Sequence, residues 1–220
     1  MKIIKPFGKA EAGVLQVRLC DREAATADPW AWTFRDVENA EVSVGSVFDA
    51  DADALVSPAN SFGDMGGGVD RHIDLFYERR AQPAVMETIR REFYGELPVG
   101  CALVVPMNTT RFPFLVCAPT MRVPGSVAGS LNAYLAFRGV LVAILRHNAQ
   151  TEPNQQIRSL AVTGLATGVG GMDAGDSAEQ MRAAWDNVVG DKWRAVVHPV
   201  MAPYAFGRAK SLRREDERKP

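Results

Sequence analysis

The chain has 220 residues, room for one or two domains at roughly 100–200 residues each, and enough to bury a core without disulfide staples. Its apolar content of 47% and charged content of 23% exclude a disordered or collagen-like chain. Lys plus Arg number 25 against 26 Asp plus Glu, a net charge of −1, which argues against nucleic-acid binding driven by excess positive charge. Any phosphate recognition must then be local.

Val14–Cys20 is a short β-branched and apolar run, read as a strand that leads through a polar stretch into a short helix. Trp30, Trp32 and Phe34 follow as core or lid material. Residues 40–44 alternate as a half-buried strand does, and 52–57 form another that ends at Pro58. Beyond Gly68, Val69, Ile73 and Phe76 recur at helical spacing. Pro83 is expected to break this helix before Met86, Ile89 and Phe93 resume the stripe, with Gly95 as its stop. Residues 101–105 and 112–117 read as buried strands, and 130–148 as a helix apolar on most of its circumference.

A strand over 158–163 precedes the last predicted helix, where Asp176 and Glu179 have capping-box spacing and Met181, Ala184, Trp185 and Val188 lie on one face. Strands alternating with helices predict the α/β class, a mixed, largely parallel sheet covered on both faces. One domain over residues 1–206 is expected, followed by a charged tail over 207–220 with no apolar face.

Cys20, Cys101 and Cys117 form no C-x-x-C pair, which fits a reducing, cytoplasmic compartment. No signal peptide is read at the amino end, and no run approaches the roughly 20 apolar residues of a membrane helix. Cys101 and Cys117 are expected to be buried, inert thiols. His72, far in sequence from His147 and His198, is expected to be an exposed or helix-packed side chain rather than a zinc ligand. Neither a metal nor a cofactor is required by the residues present.

Two glycine-rich loops each follow a predicted strand and precede a predicted helix, where free amides and the helix dipole can hold an anion. Plain turn chemistry explains such glycines equally well. Neither loop contains the P-loop pattern G-x-x-x-x-G-K-[ST]. In the first loop, Asn60 can offer a donor and an acceptor to vicinal hydroxyls, and Asp70 can orient a water. Read blandly, Asn60 is a turn residue and Asp70 a first-turn carboxylate favoured by the dipole. Arg122 is equally suited to a phosphate and to a surface carboxylate.

Taken together, Val56-Ser-Pro-Ala-Asn60, Gly66-Gly-Gly-Val-Asp70 and Gly164-Leu-Ala-Thr-Gly-Val-Gly-Gly171 resemble the elements of the macrodomain family of ADP-ribose-binding modules, in the same order. The resemblance is clearest over residues 41–190. It implies a three-layer α/β/α sandwich with ADP-ribose, or an ADP-ribosylated substrate, in a cleft at the carboxyl ends of the strands. Amides of the Gly67–Asp70 stretch would meet one phosphate, while Thr167, Gly168, Val169, Gly170 and Gly171 would surround the diphosphate and distal ribose. Asn60 matches the family asparagine at the distal ribose. Asp70 matches the aspartate that, in hydrolytic members, helps position the attacking water.

The adenine end would lie along Ser46, Val47 and Phe48. There the chain departs from the family: Gly45-Ser46 stands where many relatives carry Gly-Asp to recognise the adenine amino group, with Asp49 a nearby substitute. The aromatic that covers the distal ribose in several hydrolytic relatives is absent from Gly170-Gly171; Phe62 would replace it unless simply packed in its loop. The expected function is hydrolysis of ester-type ADP-ribose linkages, on Asp or Glu or on an acylated small molecule. The alternatives are a non-catalytic reader and an ADP-ribose 1″-phosphate phosphatase.

Overall fold

The computed structural model describes residues 15–205, so the expectations for the amino end and for the charged tail lie outside the described residues. Six strands, β1 (Gln16–Asp21), β2 (Ala40–Val44), β3 (Ala54–Ser57), β4 (Leu103–Pro106), β5 (Phe114–Cys117) and β6 (Ser159–Val162), form one sheet in the order β2-β1-β6-β3-β5-β4. All neighbours pair in parallel except β4 and β5. Every residue of β3 is buried, as required of a central strand with helices over both faces, and the apolar run Ala54-Leu-Val56 reflects that. The edge strand β2 exposes Glu41, Ser43 and Val44.

Strand pleating separates two cores. Val17, Leu19, Val56, Leu160 and Val162 point to one face, where they meet α1 (Ala24–Thr33), α4 (Asn132–Asn148) and α5 (Ala174–Val188) through Trp30, Phe137, Val140, Met181 and Trp185. The alternate residues Leu55, Leu115, Cys117 and Ala161 point to the other face, against Ile73 of α2 (Gly68–Phe76) and Val85 and Ile89 of α3 (Ala81–Phe93). The result is a three-layer α/β/α sandwich.

Three local expectations are corrected. The break between α2 and α3 comes before Pro83, at Tyr77–Arg80, where Glu78 and Arg79 take left-handed φ of 55° and 61°. Pro83 then sits in the first turn of α3, where its missing N–H costs no intrahelical bond. Second, α5 starts ahead of the expected capping box: Asp173 is its N-cap, its carboxylate accepting from Gly175 N–H at 2.9 Å and Asp176 N–H at 3.0 Å. An Asp three residues upstream outcompetes the box because the chain already turns there. Third, Trp32 is not core material. It is 68% exposed beneath the Arg35 guanidinium at 4.0 Å, whereas Trp30 and Phe34 are buried.

Candidate functional site

Parallel pairing puts the carboxyl ends of β1, β6 and β3 side by side, and the crevice outside such ends is where open α/β sheets bind ligands. The loop after β3 is braced by Asn60. Its Oδ1 accepts from the N–H groups of Phe62 (3.0 Å) and Asp64 (3.3 Å), and its Nδ2 donates to the Asp64 carbonyl (2.7 Å). Among the described residues this leaves one amide hydrogen of Asn60 to offer a ligand. Gln82 of α3 accepts from Met65 N–H at 2.7 Å and ties the loop to the layer below. At its end, Gly68 takes φ +56° and no side chain caps α2, so among the described residues the amides of Gly68, Val69 and Asp70 meet no acceptor.

The loop after β6 is held from below. Asp21, the last residue of β1, accepts from Thr163 Oγ at 2.9 Å and Gly164 N–H at 3.2 Å, and Ser177 Oγ donates to the Leu165 carbonyl at 2.8 Å. Gly170 is required by its own loop, since a Cβ there would lie 2.4 Å from the Ala166 oxygen. Gly168 is different: its Cβ position is open and its φ is ordinary, so the glycine leaves room above the loop rather than relieving strain. The amides of Thr167, Gly168, Val169 and Gly170 have no protein acceptor among the described residues.

Between the loops lies a cleft with two connected parts. One, about 260 Å³, runs from Pro58–Asn60 and Met121 to Thr167–Gly170. The other, about 410 Å³, is walled by Cys20–Arg22, Gly45–Phe48, Arg71 and His72. Gly67, Gly68 and Val69 are common to both walls, as are Asp21 and Thr163.

The cleft brings together Ser46, Val47, Phe48, Asn60, Gly67, Gly68, Val69, Thr167, Gly168, Val169 and Gly170, which the sequence assigns to it. Two others stand behind its walls. Gly171, at φ +60°, donates its N–H to the Gly168 carbonyl and shapes the loop from within. Asp70 is 8% exposed; its carboxylate accepts from Ser57 Oγ at 2.7 Å, and burial pushes its pKa up to about 6 despite that hydrogen bond. The buried Cys117 thiol lies near it and is itself pushed up by desolvation, as an inert thiol is.

Arg122 resolves to the carboxylate reading: Nε and Nη2 grip Glu96 at 2.6 and 3.0 Å, and the guanidinium covers Phe62. Neither Phe62 nor Asp49 is on the cleft wall. Ser46 caps the 3₁₀ turn Val47–Asp49, accepting from Phe48 N–H at 3.3 Å. His72 is exposed, with Nδ1 donating to the Gly68 carbonyl at 3.1 Å. Sequence reasoning missed Asp21 and Arg22. Asp21 ends the first strand, but only the adjacency of β1 and β6 puts it under the second glycine loop.

Two proteins described as uncharacterized are similar in sequence. One from Aquifex aeolicus is 29% identical over 141 residues, 64% of this chain and 77% of that protein. One from Aeropyrum pernix is 29% identical over 162 residues, 74% of this chain and 77% of that protein. Among solved structures, the macrodomain of Mycobacterium tuberculosis DarG superposes with a TM-score of 0.53 at 24% identity, covering 66% of this chain and 88% of its own. The macrodomain of Thermus aquaticus DarG gives 0.51 at 20% identity, over 64% and 85%. These likenesses show a shared fold. The Macro domain family matches residues 56–181, a span that holds both glycine loops, α2 and the first half of α5, and the chain belongs to that family.

Proposed function

We propose that the chain binds ADP-ribose in this cleft and hydrolyses an ester-type linkage at its distal ribose. One observation carries the binding. Two sets of amides unpartnered among the described residues, Gly68–Val69 and Thr167–Gly170, line a space on whose wall the described residues put no Lys, Arg or His. A diphosphate there is held by N–H groups and helix dipole alone, as macrodomain resemblance implies. The adenosine then extends along Gly45–Phe48, and the distal ribose lies toward Asn60 and the second loop.

The hydrolytic half of the reading rests on Asp70. A carboxylate pushed up to about 6 is ionised at neutral pH and still basic enough to accept a proton from water as it attacks the ester. Rigid amides would fix the ester within reach of that water, which is catalysis by positioning. A reader function is favoured by one specific feature: the polar atoms of Asn60 and Asp70 are largely spent on the protein itself, and Asp70 stands behind the wall.

Calorimetry with ADP-ribose, AMP and NAD, paired with single-turnover release of ADP-ribose from a mono-ADP-ribosylated carboxylate, separates these readings. Low-micromolar affinity for ADP-ribose, roughly −8 kcal/mol, is expected. Asp70→Ala should slow release by about 10²-fold or more while changing affinity little. Clean binding without release leaves the reader, release that survives Asp70→Ala removes Asp70 from the chemistry, and absence of binding overturns the proposal.

A further inference from the structure

The charges along the cleft are unevenly placed. The 260 Å³ part carries Asp21 and Asp64 and no cation, whereas the 410 Å³ part brings Arg22, Arg71 and His72 to one wall. Arg22 follows β1 and Arg71 sits in α2, so the two guanidiniums approach from different elements. Both are exposed, and among the described residues neither forms an ion pair or hydrogen bond. Several arginines elsewhere on the molecule find carboxylates, Arg18 with Glu41, Arg122 with Glu96 and Arg182 with Asp36 and Asp186, while Arg79, Arg90 and Arg146, also without an ion pair among the described residues, lie on neither part of the cleft. Among the described residues the one acid on the same wall is Asp21, and its oxygens already accept from Thr163, Gly164 and Glu23.

A guanidinium with no carboxylate partner at the mouth of a cleft has its donors free for a planar oxyanion, and phosphate matches its fork. A ligand whose anionic groups end at the diphosphate already has the two amide loops and gains little from cations beyond them. At this same end the chain has Ser46, whose uncharged hydroxyl accepts from Phe48 N–H, and the Asp21 carboxylate is already engaged, so the charge this wall leaves unpaired is positive. Resting on the ADP-ribose reading above, we infer that the Gly45–Phe48 end of the cleft is a second anion site, formed by Arg22 and Arg71, for a phosphate ester on the nucleoside ribose. The ligand class is an adenosine nucleotide bearing a further phosphate at the 2′ or 3′ oxygen.

The test is calorimetry on the full chain with ADP-ribose, AMP, adenosine 2′,5′-bisphosphate and adenosine 3′,5′-bisphosphate at one ionic strength. At least one bisphosphate should bind roughly tenfold or more tightly than AMP, and which one does so identifies the ester position. In Arg22→Gln/Arg71→Gln the ratio of bisphosphate to AMP affinity should fall to near one, with the circular dichroism spectrum and melting profile of the wild type confirming the fold. Equal affinity for AMP and both bisphosphates, with ADP-ribose still bound, overturns the second anion site and leaves the ADP-ribose reading standing. A bisphosphate advantage that survives the double substitution also overturns it. Failure of every nucleotide to bind overturns both.

Discussion

Asp70 of the first loop motif and Gly168 of the second are used very differently. Asp70 is held under the first loop by Ser57, and desolvation raises its pKa from 3.8 to about 6. The folded state therefore holds this proton to higher pH than the unfolded chain. The stability it contributes is full below the unfolded pKa and is lost as pH rises through about 6. Asp70→Asn keeps an oxygen for Ser57 and removes the buried charge. It should stabilise the protein by on the order of 2 kcal/mol at neutral pH, and the gain should shrink toward zero near pH 4, as urea denaturation across pH will show. A difference that does not vary with pH would contradict the burial argument. Gly168 has open space where a side chain would go. Gly168→Val should leave stability within about 0.5 kcal/mol while eliminating measurable ADP-ribose binding, because its methyl groups enter the diphosphate position. Retained affinity would displace the second loop from the site.

At the scale of elements, the helices that open at the two loops are started in opposite ways. α5 has a side-chain cap, Asp173, which consumes the amides of Gly175 and Asp176 and keeps them from a ligand. α2 begins at Gly67 with no cap, which leaves its first amides to the cleft. Among the described residues the unpartnered amides around α5 are consequently in the loop before it, at Thr167–Gly170, rather than among the amides its cap consumes. Asp173→Ala should cost about 1 kcal/mol of stability in denaturant titration, with ADP-ribose affinity changed by less than about threefold. A large affinity loss would mean that the cap shapes the loop as well as the helix. The turn between α2 and α3 also belongs here: Tyr77 and Ala81 are fully buried on either side of it, and the left-handed Glu78 and Arg79 let both helices press on the same sheet face.

For the whole molecule, the sheet order decides what can meet. β1 comes first in the chain, yet it lies between β2 and β6, so Asp21 supports the loop after β6, 142 residues later. The same placement brings Arg22 and the turn after β2 to the cleft opened by α2. Since the part of the cleft assigned to the diphosphate carries no cationic side chain, ADP-ribose affinity should vary by less than about threefold between roughly 50 and 200 mM salt. Calorimetry over that range checks it, and a steep decline would point to guanidinium contacts with the diphosphate.

The α/β class was legible along the chain, because the short run ending at Ser57 and Pro58 is bounded like a strand while the stripe through Met181, Ala184, Trp185 and Val188 repeats as a helix does. The sequence also determined the two glycine loops, since Val56–Asn60, Gly66–Asp70 and Gly164–Gly171 are contiguous and local rules act on contiguous residues. Relations between distant segments became visible once the chain was folded: Asp21 lies beneath the second loop, and Arg122 faces Glu96. Asp70 is the clearest case. Its place in the motif is readable, but whether it faces the cleft or Ser57 depends on how α2 is seated on β3 and β5, and burial there sets its proton affinity. Those are properties of packing, and no spacing along the chain encodes them.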